Sequence, residues 1–321
     1  MSLTIQILIK NNEDTIEKCL NSLLPLKANT IIADIGGTDQ TATICQKLGY
    51  KVEKHSLNND HSQLRNRLLS QSKTHWQMYL DPHEFLAAGV DEIKDIVKSD
   101  VKKSFYIKIA QSTIISKEIR LWSNSIKFIN PVYETIKDNS GLETKKCIIY
   151  SKQAKIDLSH RLNIIDNWKI TNPVSPDPYY YQALSLLLAG NYIEFSALAD
   201  HYLFREKTGK GSVMMRYHLA MVQAYQLDMI KEAIENTLTC IAHQPLMAEF
   251  WCLLGDIHYK IKQYEKAVDF YDNALILGAQ RLQSDMWPID VSKYKDHPIK
   301  MIDNTKKIIS ETKIYHPIKH K

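Results

Sequence analysis

No C-x-x-C pair occurs in the chain, and its five cysteines (Cys19, Cys45, Cys147, Cys240 and Cys252) are scattered and odd in number. That argues against a zinc site or a disulfide framework and for reduced thiols in the cytoplasm. No apolar run reaches the roughly 18 residues that a membrane span needs. The stretch from Met1 to Ile9 is apolar but lacks a basic flank and a small-residue cleavage site, so it reads as a first strand rather than a signal peptide. Neither G-x-G-x-x-G nor G-x-x-x-x-G-K-[ST] occurs, which excludes the dinucleotide fingerprint and the P-loop.

What is present is ordinary for a soluble globular protein: 44% hydrophobic and 24% charged residues. The length of 321 residues suggests two domains. The formal charge is +5. The stretch after Ser292 accounts for it, with Lys293, Lys295, Lys300, Lys306, Lys307, Lys313, Lys319 and Lys321 set against Asp296, Asp303 and Glu311. A basic tail can attract nucleic acid or an anionic surface, but a solvated terminus is the expectation here.

Leu3 to Ile9 reads as a strand that ends at Lys10-Asn11-Asn12-Glu13. Ile16, Cys19, Leu20, Leu23 and Leu24 then fall at helical spacing, up to Pro25. A second short strand, Thr30 to Ala33, ends in Asp34-Ile35-Gly36-Gly37-Thr38-Asp39. The glycines permit a tight turn, and Thr38 or Asp39 can cap the next helix. A third strand starts at Tyr50, a helix from Ser62 to Leu69 holds Arg65 and Asn66, and a buried strand runs from Trp76 to Leu80. Strand and helix alternate at βαβ spacing, which predicts a largely parallel sheet with helices on both faces.

Three strands thus end in polar clusters, at Lys10-Asn11, at Asp34 and at Asp81-Pro82-His83-Glu84. In a parallel sheet these lie along one edge, where ligands bind. Gly36-Gly37 before a helix N-terminus suits phosphate. Asp81 and His83 point the same way from an extended segment and can share one ion. The plainer alternative is that Asp81 caps a following helix and His83 is merely exposed.

Taken in order, Lys10-Asn11-Asn12-Glu13, Asp34 to Thr41, Arg65-Asn66 and Leu80-Asp81-Pro82-His83-Glu84 resemble the family 2 glycosyltransferases of the GT-A fold. That family's pattern reads approximately K-N-E-E, D-x-G-S-T-D-G-T, R-N and L-D-A-D-E, and the likeness covers about the first half of the chain. The resemblance implies that Asp34 contacts the nucleoside and that Asp81 and His83 hold a divalent metal, Mn²⁺ or Mg²⁺, on the donor diphosphate. It extends nucleotide-sugar binding to Lys10, Asn11, Gly36, Arg65, Asn66, Asp81 and Arg120. Here D-x-D has become Asp81-Pro82-His83, a D-x-H form that polypeptide N-acetylgalactosaminyltransferases use. Histidine suits Mn²⁺ or Zn²⁺ better than Mg²⁺. Lys117 to Trp122 and Asn130-Pro131-Val132-Tyr133-Glu134 are similar to the family's R-L-F and V-H-E segments, which implies Glu134 as general base, with Tyr133 where histidine is usual. Where such chains carry a later metal-binding histidine, this one has Tyr150, with His160 as a loosely spaced alternative.

The second half changes character after Pro173, Pro176 and Pro178. Trp251, Leu254, Gly255, Tyr259, Tyr264, Ala267, Tyr271 and Ala274 are similar to the tetratricopeptide pattern W-x-x-L-G-x-x-Y…A-x-x-x-F-x-x-A. One repeat length earlier stand Tyr217, Ala220, Ala233, Cys240 and Pro245, and a diverged unit covers Tyr179 to Phe204. Trp251 and Tyr271 are expected in the core. After Gly278 the pattern fades.

The expected architecture is an α/β GT-A domain, Rossmann-like with a mainly parallel sheet, over residues 1–170. All-α tetratricopeptide-like repeats follow at 171–285 and a basic tail at 286–321. The expected function is that of a cytoplasmic, metal-dependent, inverting glycosyltransferase that uses a nucleotide sugar, with UDP-sugar the leading donor. The repeats would hold a peptide or protein acceptor, a pairing similar in layout to bacteriocin peptide S-glycosyltransferases. Nucleic acid is not an expected partner. The competing readings are a catalytically degenerate scaffold, motivated by the altered D-x-D and V-H-E segments, and a transferase acting on modified DNA or a surface glycan.

Overall fold

A computed structural model describes residues 3–55, 60–99, 103–123, 126–136, 138, 140–153, 157–281 and 286–315. The repeated His-Pro-Ile-Lys at 316–319 lies outside them. The chain forms two compact units, Met1–Ile165 with Met286–Pro288, and Asp166–Asp285 with Ile289–Lys321.

The elements of the first unit are β1 (Leu3–Ile9), α1 (Ile16–Leu23), β2 (Asn29–Asp34), α2 (Thr41–Lys47), β3 (Val52–Lys54), α3 (His61–Gln71), β4 (Trp76–Tyr79), β5 (Glu84–Ala88), α4 (Val90–Lys98), β6 (Ser104–Gln111), β7 (Ile114–Ser123), β8 (Phe128–Ile129), β9 (Thr135–Ile136) and β10 (Leu142–Ser151). The sheet order is β3-β2-β1-β4-β7-β6-β10-β5. The strands β3, β2, β1 and β4 are mutually parallel, as βαβ connections require. The sheet is mixed beyond β4. β7 runs antiparallel to both β4 and β6, because only Ser112 and Thr113 connect β6 to β7, and so short a turn cannot make a parallel crossover. β8 and β9 form a separate ribbon.

β1 lies at the centre and every one of its residues is buried. Its odd-numbered side chains, Leu3 to Ile9, pack with Ile16, Cys19 and Leu20 of α1, Cys45 of α2, and Ile93 and Val97 of α4. Leu8 points to the other face and meets Leu64 and Leu68 of α3. Helices therefore cover both faces. Leu24, counted with the inward face of α1, is instead 58% exposed, because α1 ends at Leu23 and a 3₁₀ turn rotates the next residue outward. No helix follows Asp81. The chain enters β5, whose edge pairing with β10 begins at Glu84, so the helix-capping alternative falls away.

The boundary between the units lies within α5 (Leu158–Thr171). The second unit then contains α6 (Asp177–Leu188), α7 (Tyr192–Arg205), α8 (Lys210–Tyr225), α9 (Ile230–His243), α10 (Ala248–Lys260), α11 (Tyr264–Gly278) and α12 (Asp296–Tyr315). α6 to α11 form the three helix pairs read from the repeats. Tyr271 is fully buried, whereas Trp251 is half-buried and donates its Nε1–H to the Pro245 carbonyl at 2.8 Å. The basic stretch read as a solvated terminus folds instead as α12, with Ile302 and Thr305 buried and Ile302 against Ala267 and Tyr271. Among the described residues no helix is long and apolar enough to cross a membrane.

Candidate active site

β2 and β4 flank β1, and all three run the same way, so their carboxyl ends bring Lys10, Asp34 and Asp81 to one edge. The chain moves from β1 to β2 on one side and later to β4 on the other. That reversal opens a crevice at the ends of β1 and β4. A cavity of about 670 Å³ lies there, lined by Lys10, Asn11, His61, Arg65, Asp81, His83, Tyr133, Glu134, Asp157, His160 and Arg161 among others.

Arg65 is the hub of the cavity. Its side chain is 1% exposed, over the rings of Tyr79 and Phe128. Nε donates to Glu134 Oε1 at 2.7 Å and Nη2 donates to Asp81 Oδ1 at 2.9 Å. One planar guanidinium thus joins the end of β4 to the 130–134 loop. Glu134 Oε2 lies 3.5 Å from His61 Nδ1. Burial pushes the Glu134 carboxyl up, but Arg65 and His61 outweigh it and hold the group well below the usual carboxylate range. Tyr133 adopts a positive φ of 52° and accepts a hydrogen bond on its Oη from Arg161 Nη1 at 2.6 Å. Lys10 Nζ reaches Asp157 Oδ2 at 3.3 Å.

Asp81, His83 and Glu84 each offer a ligand atom within 4.8 Å of the others. Glu84 is already committed. Both its oxygens accept from Arg120, at 2.8 Å each, and Oε2 also accepts the Asp81 backbone N–H at 2.9 Å. Asp81 Oδ2 accepts no hydrogen bond among the described residues. Burial lowers His83 against the pull of Asp81, which leaves a neutral imidazole at neutral pH. One carboxylate oxygen and one neutral ring nitrogen fit a divalent ion, and Glu84 is their support rather than a third ligand.

Asp34, Gly36, Asn66 and Arg120 do not line the cavity. Asp34 Oδ1 accepts the backbone N–H groups of Gly36 and Gly37 at 3.0 and 2.8 Å, fastening a turn in which Gly36 has φ +104°. Asn11 does line it, with φ 57°, and its Oδ1 accepts from Thr38 N at 2.7 Å, tying the β1 end to that turn. Asn66 exchanges two hydrogen bonds with the backbone of Phe128, at 2.9 and 2.8 Å, and so anchors the β8–β9 ribbon. Arg120 is buried beneath Glu84. Tyr150 packs at a tilt against Phe85 instead of reaching the cavity, while His160 does line it, 6.4 Å from the His61 ring.

His61, Asp157 and Arg161 were not singled out from the sequence. His61 stands four residues before Arg65, on the same face of α3, and that spacing was a usable signal. Asp157 and Arg161 come from the start of α5, on either side of His160 but outside the matched motifs.

Residues 4–154 match the glycosyl transferase family 2 model, and residues 248–278 match a tetratricopeptide repeat. No curated protein matches the chain. Among solved structures it is similar to MamA (residues 41 to the end) from Desulfovibrio magneticus RS-1, at 19% identity and a TM-score of 0.38, over 48% of this chain and 82% of that one. It is similar also to the Sgt2 TPR domain from Aspergillus fumigatus, at 14% identity and a TM-score of 0.36, over 46% and 87%. The chain therefore carries a family 2 glycosyl transferase domain on a mixed, mostly parallel GT-A-like sheet, followed by a helical tetratricopeptide-like region.

Proposed function

We propose that the protein is an inverting glycosyltransferase that takes a sugar from a nucleotide sugar, with UDP-sugar as the donor class, and passes it to a peptide or protein acceptor. The observation that carries this reading is the meeting of Asp81, His83, Arg65 and Glu134 in one cavity, at the switch point of a family 2 domain. Asp81 and His83 would hold Mn²⁺ or Mg²⁺. That ion, when bound, neutralises charge on the departing nucleotide diphosphate. Lys10 and Asn11 lie at the same strand end and are assigned to the donor, with Arg65 supplying buried positive charge. Asp34, Gly36 and Asn66 act behind the cavity by fixing the loops that border it, and Arg120 by fixing Glu84. Glu134 stands on the acceptor side. The helical repeats suit a peptide or protein partner, as such arrays commonly do.

Calorimetric titration of UDP and UDP-glucose, with and without Mn²⁺, tests the reading. Binding is expected to depend on Mn²⁺ and to weaken at least tenfold in Asp81→Ala. Absence of binding in both metal conditions would overturn it.

A further inference from the structure

Glu134 is the acid expected to take the acceptor's proton, and its surroundings oppose that task. Oε1 accepts from the buried Arg65 at 2.7 Å, and Oε2 faces His61 Nδ1 at 3.5 Å. A carboxylate held by a buried guanidinium gives up its charge reluctantly and is a weak base. Its neighbour is better placed. His61 opens α3, and its backbone N–H donates to the Pro131 carbonyl at 2.8 Å, which fastens it to the loop that carries Glu134. The ring lines the cavity. Its Nε2 is shielded from bulk water and has no hydrogen-bond partner among the described residues. A buried ring nitrogen left unpaired can still accept a polar partner. Nε2 of His55 and of His160 and Nδ1 of His218 share that condition, but of these only His160 lines the cavity, and no carboxylate hydrogen-bonds its ring among the described residues. A carboxylate beside Nδ1 favours the tautomer with its proton on Nδ1, so the lone pair sits on Nε2.

We propose that His61 Nε2 accepts the proton of the attacking group, and that Glu134 works through His61 as its orienting carboxylate. The inference rests on the glycosyltransferase reading above. In the step, the acceptor's hydroxyl or thiol forms a bond to the anomeric carbon. The bond from that carbon to the phosphate oxygen breaks, and its electron pair leaves with the nucleoside diphosphate. The acceptor's proton moves to Nε2, and the imidazolium so formed faces Glu134, which Arg65 keeps ionised. Solvent later removes the proton and restores the neutral ring. His61 is thus the catalytic residue of the dyad and Glu134 a positioning residue.

The test has two arms on the full-length protein. The first records ¹⁵N spectra of ring-labelled histidines at pH 7.5, with the His61 signals identified by their loss in His61→Asn. A neutral ring protonated on Nδ1 is expected, with that preference lost in Glu134→Gln. A ring protonated on Nε2, or on both nitrogens, would overturn the proposal, since Nε2 would have no lone pair to accept a proton. The second arm measures UDP-glucose binding in Mn²⁺ and the release of UDP. His61→Asn is expected to bind the donor within about threefold of the parent and to release UDP about 10²–10⁴-fold more slowly. Parent-like release would overturn the proposal. The tautomer arm needs neither donor nor acceptor, so a parent that binds no nucleotide sugar would sink the functional reading without blurring the result for His61.

Discussion

At the scale of single residues, Arg120 sets the support of the site. It is 3% exposed, and it pairs with a Glu84 that is equally buried. Burial pushes the Glu84 carboxyl up, and the bidentate guanidinium is what opposes that push. Arg120→Met would leave a buried carboxylate without its partner, at a cost of about 3–5 kcal/mol. Urea unfolding should show that loss, and Arg120→Met with Glu84→Leu should recover part of it. If the double variant were as unstable as the single one, the pair would not be the source of the cost. The same residue shows where sequence reasoning stopped. The family resemblance alone carries Arg120 to the donor, through the likeness of the 117–122 segment. Alternation along β7 could place it on one face, but not beneath Glu84, since that depends on β7 lying two strands from β1. Asn66 and Asp34 follow the same logic: the motif brought them to the neighbourhood, and their hydrogen bonds to backbone fixed which way they turned. Asp81 and His83 were legible because strand ends on a parallel sheet share an edge, whereas Arg65 on α3 and Glu134 in the 130–134 loop were implied only by the family resemblance.

At the scale of elements, the repeat motif was legible for a packing reason. Gly255 sits on α10 where a Cβ would lie 2.6 Å from Cε1 of Tyr271 on α11. Tyr271 is fully buried and donates its Oη–H to Asp256 at 2.7 Å, so the ring cannot swing aside without losing that bond. Gly255→Ala should therefore destabilise the helix pair by about 1–3 kcal/mol. Gly255→Ala with Tyr271→Phe tests the cause: loss of the hydroxyl frees the ring, and the two costs should fall short of their sum. Full additivity in urea midpoints would count against the contact. The period of α12 is faint in the sequence because its apolar positions are interspersed with lysine. Among its described side chains Pro298, Ile302 and Thr305 are buried, at helical spacing, within a run rich in lysine. Three inward positions in a helix that begins with a turn-permitting proline give too faint a period to stand out from the charge.

At the scale of the whole molecule, charge governs the response to acid. Lysine and arginine outnumber aspartate and glutamate, 41 to 36, so each carboxylate protonated adds to an already positive chain. Carboxyls held below their ordinary range contribute stability above the unfolded value, near 4, and lose it as pH falls through the folded value. Asp256 is the most connected of these in the second unit. Its Oδ1 lies 2.8 Å from His297 Nε2 and accepts from Tyr271, its Oδ2 accepts from Tyr225 at 3.0 Å, and Lys293 stands 3.7 Å away. Burial pushes the group up, but His297, Lys293 and Tyr271 together draw it down. It gathers α8, α10, α11 and the start of α12 around one charge. Asp256→Asn should cost about 1–3 kcal/mol at pH 7, because three donors lose an ionised acceptor. Below about pH 4 the parent loses the same contribution as Asp256 protonates, so the two stability curves should converge. Urea midpoints measured from pH 3 to pH 7 decide the matter: a gap that narrows toward acid identifies Asp256 as an ionised tie between helices, and a gap constant across the range would mean that its shape matters and its charge does not.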